Sequence, residues 1–327
     1  MSGGDLRFTI CDLRERAWLS AIGHRLSACL GALCFILLVG CGAGTSREVI
    51  LYTSQDQDFA EPVLKEFTRQ TGIRVQSVFD SEAVKTAALA NRLLAETNHP
   101  QCDVWWSNEE LRTRQLASRG VFREMDGWAA FGFRSRRIVV NTNKLALADA
   151  PSSLLDLTNA RWRGKIALAY PMFGTTSAQF VALRQHWGVE PWLAWCRALA
   201  ANKPFLVDGN SVVVKLVGRG EAIVGLTDSD DVLAGQREHF PIAALPLTAE
   251  SLLIPNTVAL VRGAPHPREA ETLISFLKSS YVTEALNAAG AIESTNVAGR
   301  PHLRVDLGAA VTELEPALND LKQIFLR

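Results

Sequence analysis

Three aspartates fall within four residues in the stretch VGLTDSDDVLAG: Asp228, Asp230 and Asp231. Carboxylates this close repel, and each raises its neighbours' proton affinity unless something positive neutralises them. An aspartate after a strand is most often a turn former or a helix cap, but one helix end takes one cap. The stretch is not an EF-hand loop, for it lacks a glycine at the sixth position and a glutamate at the twelfth. A carboxylate cluster awaiting a cation, metal or organic, is what remains. Hard oxygen donors favour Fe, Mn, Mg or Ca over thiolate-preferring metals.

Further polar groups follow apolar runs. Ser54, Gln55 and Asp56 come after VILY, Asn108 and Glu109 after DVWWS, and Gly174, Thr175, Thr176 and Ser177 open a helical pattern. Hydroxyls and free backbone N–H groups at a helix N-terminus suit an anionic oxygen, or simply cap the helix. Asn210, after Gly209, either hydrogen-bonds across a cleft floor or shapes a turn. Trp105 and Trp106 are neighbours on a strand and face opposite sides, so one is expected in the core and one at the site. There an indole face would suit an organic ammonium.

Catalytic constellations are weak by comparison. His99, His186, His239, His266 and His302 are scattered without metal spacing, and the chain contains no G-x-S-x-G elbow, Walker loop or dinucleotide fingerprint. A carboxylate pair such as Glu109 and Asp230 is the only support for a secreted hydrolase. The expectation is a binding protein, with no catalytic residue and no catalytic cofactor.

The elements around these residues alternate. Residues 48–52 (EVILY), 73–79 (IRVQSVF) and 102–106 (CDVWW) read as strands, each followed by a helix, in residues 59–71, around 87–94 and in 109–120. Such alternation predicts a mostly parallel sheet covered by helices, with ligands beyond the carboxyl ends of the strands. Those ends are residues 53–56, 80–82 and 107–109. Residues 137–141 (RIVVN) read as a further strand. A second α/β unit follows, with strands at 165–170 and 223–226 and helices through Trp187, Trp192 and Val213. Residues 252–261 read as a strand returning to the first unit, and a helix spans 267–278. Two lobes linked by more than one crossing imply a cleft and a hinge.

The remaining bounds come from charge, cysteine and the N-terminus. The chain has 34 basic and 34 acidic residues, so no whole-molecule field points to nucleic acid. Apolar residues make up 48 % of it, which supports packed cores. Arg14, Arg16 and Arg25 precede an apolar run of the length of a secretory h-region, ending in Leu38, Val39, Gly40 and Cys41. Only Cys102 and Cys196 lie in the body, too few for a disulfide framework.

With these motifs in hand, the chain resembles the bacterial extracellular solute-binding proteins of ABC importers, and within them the ferric-iron-binding branch. LYTSQDQDFAEPVLKEFTRQTGI, DVWWSNE, WRGKIALAYPMFGTTSAQF, GLTDSDD and IPNTVALVRGAPHPREAETLISFL carry the likeness, from about residue 49 to 297. The resemblance implies a lipoprotein leader over residues 1–40, a lipidated Cys41 and a flexible linker over 41–47. It further implies an α/β, two-lobed periplasmic-binding-protein fold of type II. Lobe I would comprise residues 48–137 with 252–293, lobe II residues 138–251, and a helical C-terminal segment 294–327. The expected protein is exported and lipid-anchored, a monomer that hands its ligand to a permease and ATPase. Residue by residue, the family's iron ligands map onto Asp56, Glu109, Asp230 and Asp231, with Asn108 and Asp228 beside them. Ser54, Gln55, Asn210 and residues 174–177 would hold the ligand or an accompanying anion. The family's adjacent tyrosines are replaced here by Asp230 and Asp231, which remain hard oxygen donors for Fe3+. An organic cation or aminophosphonate in the same cleft is the alternative. The segment 122–136 is shortened relative to the family, an expected loss of wall or lid material.

Overall fold

The structure, a computed structural model, describes residues 47–80, 86–123 and 127–326. The expected leader, Cys41, and Ser81 and Glu82 of the second strand-end loop lie outside the described residues.

The first half builds as the hydrophobic pattern dictates. Strand β1 (Glu48–Thr53), helix α1 (Gln57–Thr71), β2 (Arg74–Phe79), α2 (Ala87–Ala95), β3 (Val104–Ser107) and α3 (Leu111–Ser118) alternate along the chain. In α1, Ala60, Val63, Leu64 and Phe67 recur at helical spacing and are buried. The helix stops at Gly72, whose φ of 69° is the left-handed conformation that glycine tolerates. β1 pairs in parallel with β2 on one side and β3 on the other.

Strand β4 (Trp128–Asn141) differs from expectation most. The sequence suggested only its last five residues, and the nine before them, 128–136, are sheet as well. A bulge at Gly132 (φ 61°) shifts the register, and the strand pairs with β9 (Leu253–Leu260) over Trp128 to Ser135, then with β7 (Val224–Asp228) from Arg136 onward. The expected boundary at 137/138 therefore falls inside one continuous strand.

The second half contains β5 (Ile166–Ala169), α4 (Gly174–Trp187), α5 (Val189–Ala201), β6 (Phe205–Val207), α6 (Asn210–Arg219), β7, α7 (Ser229–Arg237) and β8 (Ile242–Ala244). Helices α8 (Pro267–Leu277), α9 (Ser280–Ala289) and α10 (Leu307–Phe325) follow β9. The nine strands run β2-β1-β3-β9-β4-β7-β5-β6, with β8 on β4. Either side of the antiparallel β9–β4 pair lies a parallel set, as a two-lobed fold with crossing strands requires. Both faces of each set are covered by a hydrophobic core. That double covering settles the two tryptophans. Trp106 packs with Val49, Phe67 and Leu273, and Trp105 with Leu116 and Phe122 on the opposite face, so neither faces the cleft. The indole face expected for an organic ammonium is absent from the site. Cys102 and Cys196 are buried and free, and burial pushes both thiols up, as for inert core residues.

Candidate functional site

β7 ends at Asp228 and α7 begins at Ser229, so Asp228, Asp230 and Asp231 sit at one helix N-terminus, where negative charge is favoured. Asp228 occupies the cap position, yet its carboxylate makes no capping hydrogen bond. It turns inward instead. Arg136 Nη1 donates to its Oδ1 at 2.7 Å, Arg134 Nη2 lies 3.1 Å from Oδ2, and the Thr175 hydroxyl donates to Oδ2 at 2.7 Å. Arg134 Nη1 also donates to Asp230 Oδ2 at 2.5 Å and lies 4.0 Å from Asp56. The positive charge that the three aspartates demanded is thus supplied in part by the chain itself, from alternate residues of β4.

Neither arginine was singled out by sequence reasoning. The signal was present in FRSRRIVVN, where Arg134, Arg136 and Ile138 share one strand face and Ile138 packs against the core. Reading the strand from Arg137 put that face out of view.

The electrostatics are tightly held. Burial pushes the Asp228 carboxyl up, but Arg136, Arg134 and the Thr175 hydroxyl outweigh it and keep it below the usual carboxylate range. Burial also pulls the Arg134 guanidinium down, and Asp230, Asp228, Asp56 and Asp231 overcome that and hold it above the ordinary arginine value. Asp230 faces the permanently charged guanidinium of Arg134 at 2.5 Å.

Around the cluster, the N-terminal ends of α4, α6 and α7 border a cavity of about 30 Å³ lined by Asp56, Asn108, Arg134, Gly174, Thr175, Thr176, Asp208, Asn210, Asp228 and Asp231, among others. That is room for one water or one ion. It adjoins a wider mouth of about 570 Å³ that shares Asp56 and Asp231 and adds Asp230. Asp56, Asp208, Asp228, Asp230 and Asp231 set five carboxylates against the two guanidiniums of Arg134 and Arg136, a formal charge of −3. One oxygen from each of Asp228, Asp230 and Asp231 can be chosen so that all lie within 4.8 Å of one another, the reach of a single metal ion. Asn210 forms the floor. It accepts from Arg136 Nη1 at 2.9 Å and donates to the Thr175 hydroxyl at 3.0 Å and to Asp228 at 3.2 Å.

Other expected residues lie behind this surface. Glu109 caps α3: its carboxylate accepts from the backbone N–H of Leu111 at 2.6 Å and of Arg112 at 2.9 Å. It does not line the cavity, because its two oxygens are turned toward those N–H groups. Burial pushes it up to about 7 against the pull of Arg112 and those N–H groups. Ser54 is spent within its own loops, donating to Asn108 Oδ1 and accepting from Asn108 N–H, both at 3.2 Å. Gln55 and Ser177 are buried and do not line the cavity. Several of these groups have no hydrogen-bond partner among the described residues: both amide atoms of Gln55, Asn108 Nδ2, Arg134 Nε, Arg136 Nη2 and Ser177 Oγ. Of these residues Asn108 and Arg134 line the cavity, so their Nδ2 and Nε are donors within reach of its contents.

The comparisons with known proteins agree with this geometry. The family model for bacterial extracellular solute-binding protein matches residues 50–291, and the chain belongs to that family. It is 24 % identical over 266 residues to the major ferric iron-binding protein of Neisseria gonorrhoeae, covering 74 % of this chain and 78 % of that one. Iron-bound HitA from Pseudomonas aeruginosa superposes with a TM-score of 0.75 at 22 % identity, over 85 % of this chain and 99 % of that one. AfuA from Actinobacillus pleuropneumoniae, solved with fructose-6-phosphate bound, superposes at 0.76 with 18 % identity, over 86 % and 99 %. These neighbours fix the two-lobed binding-protein fold. Members of this class bind and release; the fold and the family are those of a binding protein.

Proposed function

We propose that this chain is the substrate-binding component of an ABC importer and captures ferric iron, accompanied by an anion, for delivery to a membrane permease. One observation carries the reading. Three carboxylates, Asp228, Asp230 and Asp231, converge within the span of one metal ion beside an ion-sized cavity. Hard oxygens in a pocket of net negative charge suit a small, highly charged cation. The inner cavity has room for one ion, and the adjoining mouth of about 570 Å³ has room for an accompanying anion. Relatives whose names refer to ferric iron support the choice.

In this reading Asp228, Asp230 and Asp231 supply oxygen ligands, joined by Asp56, and the Thr176 hydroxyl with the N-terminal end of α4 receives the anion. Iron that bridges Asp56 on one lobe and the aspartates on the other stabilises the closed form by its differential affinity for it. The lobes are 48–137 with 252–293 and 138–251, and α10 spans their backs, touching α3 of one and α4 and α5 of the other. Lipidation at Cys41 tethers the exported protein beside its permease and raises its effective concentration there. No helix among the described residues is long and apolar enough to cross a membrane. Titration of Fe(III) against the D230A/D231A double variant tests the assignment: loss of at least about 100-fold in affinity is expected, since even supporting residues of metal sites are worth about 10–100-fold. Unchanged affinity would remove both residues from the site.

A further inference from the structure

Arg134 has a place in the site that the iron reading does not use. Its side chain is 4 % exposed, and its guanidinium lies 2.5 Å from Asp230, 3.1 Å from Asp228 and 4.0 Å from Asp56. Asp228 and Asp230 are two of the three residues whose oxygens could surround a metal ion. The guanidinium therefore already holds oxygens that a metal would take. We propose that Arg134 is a resident counter-cation: incoming metal must displace it from Asp230 and Asp228, and it returns when the metal leaves. This rests on the cation-cargo reading of the same site.

Two consequences follow from the charges. A buried carboxylate left without a partner is costly, so a closed cleft lacking cargo needs a substitute cation, and Arg134 is one. Arg136 keeps Asp228 neutralised at 2.7 Å while Arg134 swings away. Displacement also carries the same cost for every guest. It lowers the affinity of all cations by one factor, which leaves a tightly held trivalent ion bound and takes weakly held divalent ions out of range. The Nε of Arg134, buried without a partner, is a donor available to an oxyanion that arrives with the metal.

The idea makes an unusual prediction, because removing a site residue should strengthen binding. In calorimetric titrations with manganese(II) chloride and with ferric citrate, R134M should bind both metals at least about tenfold more tightly than wild type, a shift of about 1.4 kcal/mol. Metal should also raise the thermal midpoint of R134M more than that of wild type, since it supplies the charge that Asp230 has lost. Should R134M fail to fold, R134K keeps a charge but loses the two-pronged grip, and a gain of at least about threefold is expected. Equal or weaker binding of both metals by these variants would overturn the proposal and leave the iron reading standing. If wild type and variant both ignore ferric citrate while manganese(II) affinity rises as stated, the exchange stands and the iron reading falls.

Discussion

The two edges of the cleft are built from similar sequence material and end up differently. Both place polar residues just beyond strand ends, at Ser54, Gln55, Asp56, Asn108 and Glu109 on one lobe and at Thr175, Asn210, Asp228, Asp230 and Asp231 on the other. On the first, most of them bond to their own loops: Ser54 to Asn108 and Ser107, and Glu109 to the start of α3. Among the described residues of this lobe Asp56 alone brings a carboxylate to the cavity, and it lies one-third exposed, 4.0 Å from Arg134. On the second, Thr175, Asn210, Asp228 and Asp230 bond to the two buried guanidiniums of Arg134 and Arg136. The carboxylates gather on the second lobe, and the first contributes the two β4 guanidiniums that hold them and, among the described residues, one carboxylate, Asp56. A site divided in this way lets cargo settle on the second lobe first, and closure adds the last oxygen.

Substitutions that separate these roles should rank in size. Arg136→Met is expected to have the largest effect. The side chain is fully buried and joins Gln179, Thr175, Asn210 and Asp228, and breaking a buried pair of this kind costs about 3–5 kcal/mol. Denaturant unfolding would measure it. A loss under about 1 kcal/mol would mean that the aspartate cluster does not depend on Arg136.

Next come two pH effects of opposite sign. Asp228 has a lowered pKa in the folded protein, so its contribution is complete above the unfolded value near 3.8 and is lost as pH falls through the lower folded value. Glu109 is raised to about 7 from 4.5, so its contribution is complete below 4.5 and is lost as pH rises through 7. The E109Q variant removes the second effect. Relative to wild type it should gain up to about 3 kcal/mol between pH 4.5 and pH 7.5. Stability curves that stay parallel over that window would contradict the burial of a titrating carboxyl at the quiet edge.

Smaller still is D56N. It should leave unfolding within about 0.5 kcal/mol of wild type, as for a surface substitution, and weaken Fe(III) by about tenfold, one ligand's charge. An unaltered iron affinity would make the first lobe a lid without ligands. Last, Ser54→Ala removes hydrogen bonds within the quiet edge and should cost about 0.5–1.5 kcal/mol in stability, with iron affinity little changed.

Much of the fold was legible because local pattern and final position agree. The apolar stripe of α1, the β-branched runs of β1 and β2, and the returning strand β9 all stand where periodicity put them. Strand β4 was cut short because WAAFGFRSR interrupts its alternation with Gly132 and places arginines where apolar residues are expected. Its function depends on that irregularity. At the site, the residue types predicted a cation for Asp228, Asp230 and Asp231, but its first source was a strand more than ninety residues away, a pairing that no local window reveals. The two tryptophans were misjudged for a related reason. Strand alternation fixes opposite faces, but only the complete topology shows that helices cover both.

The most direct test is an anomalous difference map from crystals of the wild-type protein grown with Fe(III), recorded at the iron absorption edge. The account predicts one dominant peak within coordination distance of the Asp230 and Asp231 carboxylates, about 2 Å for hard oxygen donors, with the Arg134 side chain moved off Asp230. A peak held elsewhere, or a cleft without iron at saturating concentration and Arg134 still paired to Asp230, would contradict it.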